Sequence, residues 1–281
     1  VHAPWRLLVT EPLEGSENMA LDHALLTRAR RTGECVLRTY GWSRPTVSVG
    51  RHQTTVGIYD RERAARLGIP VVRRPTGGRA VVHARDVTYS VTAPAAALGP
   101  APYDAINALL LDALGRLGVV AALAPYGRAV RPAGDRAALP CFAAAAGGEI
   151  ITSGRKLAGS AQWQHDGALL QHGSILVDDD QSLLASLAPD AGSGNGSTRG
   201  DAGAPDATAG AGSPGSRSSG ATTLRAALGR APTVADVAEA LAAAVRAHDP
   251  GAEPLVVDDA LRRSAESLRA QYRDDGWTWR R

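Results

Sequence analysis

Residues 149–177 hold three strand-like runs, 149–152, 157–164 and 168–177, with Ser153-Gly154 and Asp166-Gly167 in the gaps between them. Both pairs suit a tight hairpin turn, whose central residues take positive φ, a conformation that glycine adopts without strain. Hairpins join neighbouring strands antiparallel. Elsewhere strands and helices mix without regular βαβ alternation. The pattern predicts an α+β fold and not a doubly wound parallel sheet.

The remaining elements follow from apolar spacing and turn residues. A helix is predicted over 16–30, capped by Ser16, with Leu21, Leu25 and Leu26 on one face. Strands are predicted over 35–40 and 46–50, then a helix over 59–67 stopped by Gly68. A strand over 69–73 enters a Pro75-Thr76-Gly77-Gly78 turn, with returning strands over 79–83 and 87–91. Residues 103–117 give the clearest amphipathic helix, placing Ile106, Leu109, Leu110, Ala113, Leu114 and Leu117 together. Two terminal helices are read over 234–248 and 261–272, with Trp277 and Trp279 folding back on the core. Residues 189–223 are nearly all Gly, Ala, Ser, Asp, Thr, Pro and Arg, too little apolar surface to offset the entropy of ordering them. The chain thus reads as one domain, 1–281, interrupted by a disordered insertion at 189–223.

Composition excludes several function classes. The net charge is only +3, the arginines are spread along the chain and aromatics make up 4%, which argues against a nucleic-acid surface. An acidic protein partner suits this balance. No run approaches the ~18 apolar residues of a membrane span. Cys35 and Cys141 are the two cysteines, too few for a disulfide framework or a structural zinc site, so no metal is expected. The chain reads as cytoplasmic, where a free thiol persists.

Lysine usage is the sharpest chemical signal. There are 30 arginines and a single lysine, Lys156. A guanidinium has replaced an ammonium almost everywhere that only charge was needed, so the survivor is a candidate for chemistry that arginine cannot perform. One lysine also rules out a GxxxxGK[ST] phosphate loop; H-E-x-x-H and G-x-S-x-G are absent too. Three clusters remain. In the first, Arg74, Thr76, Gly77, Gly78, Arg79 and His83 combine a double glycine, which lets backbone amides approach a ligand, with flanking positive charge; an ordinary Gly-Gly hairpin would read the same way. In the second, Gly159 and Ser160 follow Lys156 in a strand and leave space beside the sheet for a narrow chain. In the third, His172 and Gly173 precede Ser174-Ile175-Leu176, with His172 either polarising a ligand or serving as a base, or else a satisfied structural ring.

Taken together, Arg74-Pro-Thr-Gly-Gly-Arg-Ala-Val-Val-His83, Gly154-Arg-Lys-Leu-Ala-Gly-Ser-Ala-Gln162 and His172-Gly-Ser-Ile-Leu176 resemble the signatures of the biotin/lipoate protein ligase and lipoyl/octanoyl transferase superfamily. Glu17-Asn-Met-Ala-Leu-Asp22 and Arg38-Thr-Tyr-Gly-Trp-Ser-Arg-Pro-Thr-Val-Ser-Val-Gly50 resemble its amino-terminal part. The resemblance implies the α+β catalytic fold of the class II aminoacyl-tRNA synthetase and biotin protein ligase type, a mainly antiparallel sheet flanked by helices. Cys141, just upstream of the lysine-bearing hairpin, is similar to the nucleophile of the octanoyltransferase branch of that superfamily. Cys35 lies in a strand-like run and is expected only to pack.

The resemblance implies an octanoyltransferase with Cys141 and Lys156 as catalytic residues and Arg74, Thr76, Gly77, Gly78, Arg79, His83, Gly159, Ser160, His172 and Gly173 around the substrate. The donor would be octanoyl-acyl carrier protein. The acceptor would be a lysine of a lipoyl-domain protein, the glycine cleavage H protein or a 2-oxoacid dehydrogenase E2. A thioester donor already carries its acyl group at high transfer potential, so no cofactor is required. Three alternatives stay open at this point: an ATP- and Mg-dependent lipoate ligase forming lipoyl-AMP, an amidotransferase moving octanoyl between lipoyl domains, and a non-enzymatic lipoate-binding module.

Overall fold

The computed structural model describes residues 3–126, 141–142, 144–178, 181–189 and 220–280. In chain order these form β1 (Trp5–Val9), α1 (Gly15–Thr32), β2 (Cys35–Tyr40), β3 (Thr46–Val49) and α2 (Arg61–Arg66). Next come β4 (Val71–Arg73), β5 (Val81–His83), β6 (Asp86–Pro94), α3 (Pro102–Arg116) and β7 (Ala122–Leu123). The predicted meander follows as β8 (Ile150–Thr152), β9 (Arg155–His165) and β10 (Ala168–Leu176), then a 3-10 turn at Gln181–Leu187. The last elements are α4 (Leu224–Leu228), α5 (Val234–His248), β11 (Glu253–Pro254), α6 (Asp259–Arg273) and α7 (Asp275–Thr278).

Both hairpin turns form as their chemistry demands. Ser153 and Gly154 take φ of 49° and 72°, and Asp166 and Gly167 take 47° and 76°, the paired positive dihedrals whose twist matches that of the flanking strands. The result is an eight-stranded sheet in the order β11-β1-β2-β6-β10-β9-β8-β7, parallel only where β1 meets β2 and β11. One face packs Leu7, Leu37, Tyr89 and Val91 against α3 and α5. The opposite face packs Leu8 and Val36 against α1 and α6 through Leu21, Leu25 and Leu261. The observed architecture is therefore α+β, mainly antiparallel and flanked by helices on both faces.

The double-glycine loop is not a hairpin. β4 and β5 both pair with β3, β4 parallel and β5 antiparallel, giving a small sheet in the order β4-β3-β5. The 74–80 loop therefore crosses over the end of β3. There Gly50 must lack a side chain, because a Cβ would be driven into the carbonyl of Gly78. Strand pairing across an intervening strand leaves no local sequence trace, which is why the turn reads as a hairpin from sequence.

Other differences are local. α1 begins at Gly15, with Glu14 at the N-cap in place of Ser16; Glu17 reaches back to accept from the Glu14 amide at 3.3 Å, as in a capping box. β1, flanked by Pro4 and Pro12, is not among the elements predicted from sequence. Trp277 does fold back, donating its indole N–H to the Arg73 carbonyl at 3.1 Å, but from the short helix α7. Of the stretch read as an insertion, 190–219 lies outside the described residues. Its end at 220–223 is ordered: the Lys156 amide donates to the Gly220 carbonyl, the Thr222 amide donates to the Lys156 carbonyl, and the Thr223 side chain caps α4. Small residues can satisfy a backbone partner without contributing apolar bulk, so composition misplaces that boundary.

Candidate active site

The hairpin between β8 and β9 delivers the lone lysine to the interior. Lys156 is fully buried, and a buried ammonium is tolerated only when paired and hydrogen-bonded. Its Nζ donates to Glu149 Oε1 at 2.7 Å and to the Cys141 carbonyl at 2.8 Å. It also lies 3.5 Å from Cys141 Sγ and over the Phe142 ring at 4.8 Å. Glu149 is in turn fixed by the Ala146 amide, which donates to Oε2 at 2.6 Å. Cys141 is held by its own amide, which donates to the Ala80 carbonyl at 3.0 Å, and by Phe142, which is buried against Val81, Leu176 and Ala221. Thiol, ammonium and carboxylate thus form one cluster assembled from three chain segments.

This cluster opens on a cavity of about 210 Å³, lined mainly by apolar atoms and running from Cys141 between β9, β10 and the 78–83 segment towards Trp42 and Met19. Two glycines create the space. A Cβ on Gly159 would lie 2.8 Å from Lys156 Cε and 2.9 Å from Nζ. A Cβ on Gly173 would collide with the Gly159 carbonyl and the Tyr89 ring. Ser160 adds a polar point on the wall, 2.7 Å from the Tyr89 hydroxyl, which also accepts from Gln171 Nε2 at 3.0 Å.

Behind the wall, buried networks fix the two histidines. Asp22, fully buried, accepts from Arg38 and Ser90 at Oδ1, both at 2.8 Å. At Oδ2 it accepts from the Tyr40 hydroxyl at 2.8 Å and meets His172 Nδ1 at 3.1 Å. Burial opposes charge on Asp22, but the Arg38 guanidinium and His172 outweigh it and hold the carboxyl below its ordinary range. Burial lowers the His172 pKa in spite of Asp22, so the ring is neutral. Its Nδ1–H then donates to Asp22, while Nε2 accepts from Thr76 Oγ1 at 2.6 Å. His83 sits between Asp86 at 2.8 Å and Ser48 at 2.6 Å and stacks on Trp42 with 3.9 Å between ring centroids. Arg74, buried, spends its N–H groups on Ser48 and on the carbonyls of Gly77 and Arg79, so it shapes the loop.

Of the residues expected from sequence, Cys141, Arg74, Gly78, Arg79, His83, Gly159, Ser160, His172 and Gly173 line the cavity, and Lys156 adjoins it through Cys141. Thr76 and Gly77 do not line it. Thr76 is buried behind His172, and Gly77 offers its carbonyl to Arg74. A role for His172 as a base finds no free ring nitrogen. Sequence reading missed Glu149, taken only as the start of a strand, and the anchoring carboxylates Asp22 and Asp86. Asp22 carried a signal, a carboxylate on the apolar face of a helix. Glu149 carried none, because its partner is set by strand register. Cys35 is buried in the core, where burial pushes its thiol up to about 12. No helix among the described residues is long and apolar enough to cross a membrane.

Comparison with known proteins gives the family and the fold. The octanoyltransferase LipM of Symbiobacterium thermophilum is 43% identical over 189 residues, covering 65% of this chain and 69% of that protein. The solved lipoate-protein ligase A bound with ATP superposes with a TM-score of 0.71 at 19% identity, over 98% of each chain. A bi-partite lipoate protein ligase from Thermoplasma acidophilum, solved in a study of its lipoylation system and E2 lipoyl domain, gives a TM-score of 0.67 at 19% identity, over 99% of this chain and 97% of that one. At such identities the two structures speak for the fold alone. The family model for the lipoyl protein ligase A/B catalytic domain matches residues 14–246, and the chain belongs to that family.

Proposed function

We propose that this chain is an octanoyltransferase of protein lipoylation that carries the acyl group on Cys141. One observation carries the reading: a thiol 3.5 Å from the chain's single, fully buried ammonium, at the wall of an apolar cavity. The similarity to the LipM octanoyltransferase supports the acyl group and the reaction class.

In the first step the Cys141 sulfur attacks the carbonyl carbon of an octanoyl thioester on acyl carrier protein. The new C–S bond forms, the oxyanion collapses and the donor's C–S bond breaks; the proton that Cys141 gives up ends on the departing sulfur, so the donor leaves as a thiol. The Lys156 ammonium stabilises negative charge on the sulfur and on the developing oxyanion, a position where one donor is often worth about 3 kcal/mol. Glu149 and the Cys141 carbonyl hold that ammonium at its station. In the second step the neutral ε-amine of a lipoyl-domain lysine attacks the acyl-enzyme. The amide C–N bond forms, the C–S bond breaks, and the amine's proton returns to sulfur. One thioester replaces another in the first step and an amide replaces a thioester in the second, so the sequence runs downhill without a nucleotide. The lipoyl-domain acceptor is the glycine cleavage H protein or a 2-oxoacid dehydrogenase E2.

The test is intact-protein mass spectrometry after exposure to octanoyl-acyl carrier protein without ATP. The expected result is one octanoyl adduct on the wild-type chain, none on Cys141→Ala, and discharge of the adduct by a lipoyl domain. A strict ATP requirement with Cys141→Ser still active would replace this reading with the ligase.

A further inference from the structure

Among the described residues most surface arginines face a carboxylate, as Arg6, Arg30, Arg85 and Arg262 do. Around the loop that rims the cavity this balance fails. Arg51, Arg79 and Arg280, each partly exposed, have no carboxylate within 4.0 Å among the described residues. They are nevertheless held in place. Arg79 lines the cavity and reaches the Cys141 carbonyl at 3.4 Å. The Arg51 amide donates to the Thr76 carbonyl at 2.7 Å, and its guanidinium lies 4.9 Å from the Trp163 ring centroid and 5.7 Å from that of Trp277. Arg280 donates to the Arg51 carbonyl at 2.7 Å and covers Trp277 at 4.1 Å. Aromatic faces and main-chain carbonyls orient a guanidinium without neutralising it. Behind the rim, burial, together with Arg280 and Arg74, pushes the Arg73 guanidinium down to about 10.

A cationic rim held in place with no carboxylate partner among the described residues, its Arg79 lining the cavity, suits an anion. Its position beside Cys141 selects which of the two protein substrates it serves. The acceptor arrives with a lysine tip, which such a rim repels when protonated. The donor arrives as a thioester on an arm joined to its protein through a phosphodiester. Building on the octanoyltransferase reading, we infer that Arg51, Arg79 and Arg280 form the binding site for the phosphodiester of the donor's thioester arm. Guanidinium forks match phosphate geometry and strengthen the contact. The site would raise the rate of Cys141 acylation by donors that carry the phosphate and leave the chemistry at the carbonyl to Cys141 and Lys156.

The experiment compares two small donors, octanoyl-pantetheine and octanoyl-phosphopantetheine, by the second-order rate of adduct formation on Cys141. The wild-type chain is expected to favour the phosphorylated donor by about tenfold at low salt, with the preference eroding as salt is added. In the Arg51→Gln/Arg280→Gln double variant, and separately in Arg79→Gln, the ratio is expected to fall to about threefold or less. The salt response is read on the wild-type chain, so the result does not depend on the variants folding. Adducts that form at equal rates from both donors, or a ratio that all variants retain, would overturn the phosphate site and leave the acyl-enzyme standing. No adduct from either donor would remove the octanoyltransferase reading and this inference with it.

Discussion

Gly159→Ala isolates the function of the site from its folding. The new Cβ would stand 2.8 Å from Lys156 Cε, 2.9 Å from Nζ and 3.6 Å from Cys141 Sγ. Ordinary carbon contacts settle near 3.5–4.0 Å, so the end of the lysine side chain must retreat by roughly 0.7 Å or more. Four rotatable bonds let it do so, and the strand backbone at Gly159 has no positive φ to strain. The fold should therefore lose little, about 1 kcal/mol or less for a stretched charged hydrogen bond. The chemistry should lose much more, because misplacing a catalytic group by about 1 Å can cost ~10²-fold in rate, near 2.7 kcal/mol of barrier. Single-turnover acylation of Cys141, measured beside a thermal or urea melt, checks both halves. Gly173→Ala is the control: its Cβ meets the Gly159 main chain, which cannot swing aside, so overpacking there should cost about 1–3 kcal/mol of stability. A Gly159→Ala chain that acylates at the wild-type rate would refute the placement of Lys156 as the group that matters.

Three further outcomes are expected. Lys156→Arg keeps the charge but cannot seat a planar fork between Glu149, the Cys141 carbonyl and the Phe142 ring, so acylation should drop by ~10²-fold or more; rapid-quench mass spectrometry reads it. Asp22→Asn leaves Arg38 without its buried counter-charge and should cost about 3–5 kcal/mol in urea unfolding, and a loss under 1 kcal/mol would contradict the network. Burial, together with His165 and Arg51, pushes the His23 pKa down to about 4, and burial also lowers that of His172. Both rings hold a proton less readily in the native chain than when unfolded, where they titrate near pH 6.5. Stability should fall as pH drops from there towards 4, with protons taken up on unfolding, about one of them by His23. His23→Gln should remove one of them.

The local elements were readable from sequence because local rules govern them. Cys35–Tyr40 and Val234–His248 form where apolar spacing predicts, and the Ser153-Gly154 and Asp166-Gly167 turns take the dihedrals their residues favour. Most of the motif residues line one cavity, Thr76 and Gly77 excepted, because β9 and β10 pair Gly159 with Ser174 and Ser160 with Gly173 in one register. Less local facts were hidden. The partner of Lys156 depends on the β8–β9 register and on a bulge near Ile150, and Glu149 itself has nothing around it that marks a site.

The sequence by itself determined which chemical groups the protein has to work with, one lysine and one cysteine set in family motifs, and the alternation that builds the meander. Only the tertiary structure decided how those groups meet. It crossed the double-glycine loop over β3, turned Thr76 and His172 into wall supports, and supplied Glu149 to the ammonium. It also placed Arg51, Arg79 and Arg280 near the rim with no carboxylate within 4.0 Å among the described residues. Pairing between residues far apart in the chain is set by packing of the whole, and no short stretch of sequence contains that information.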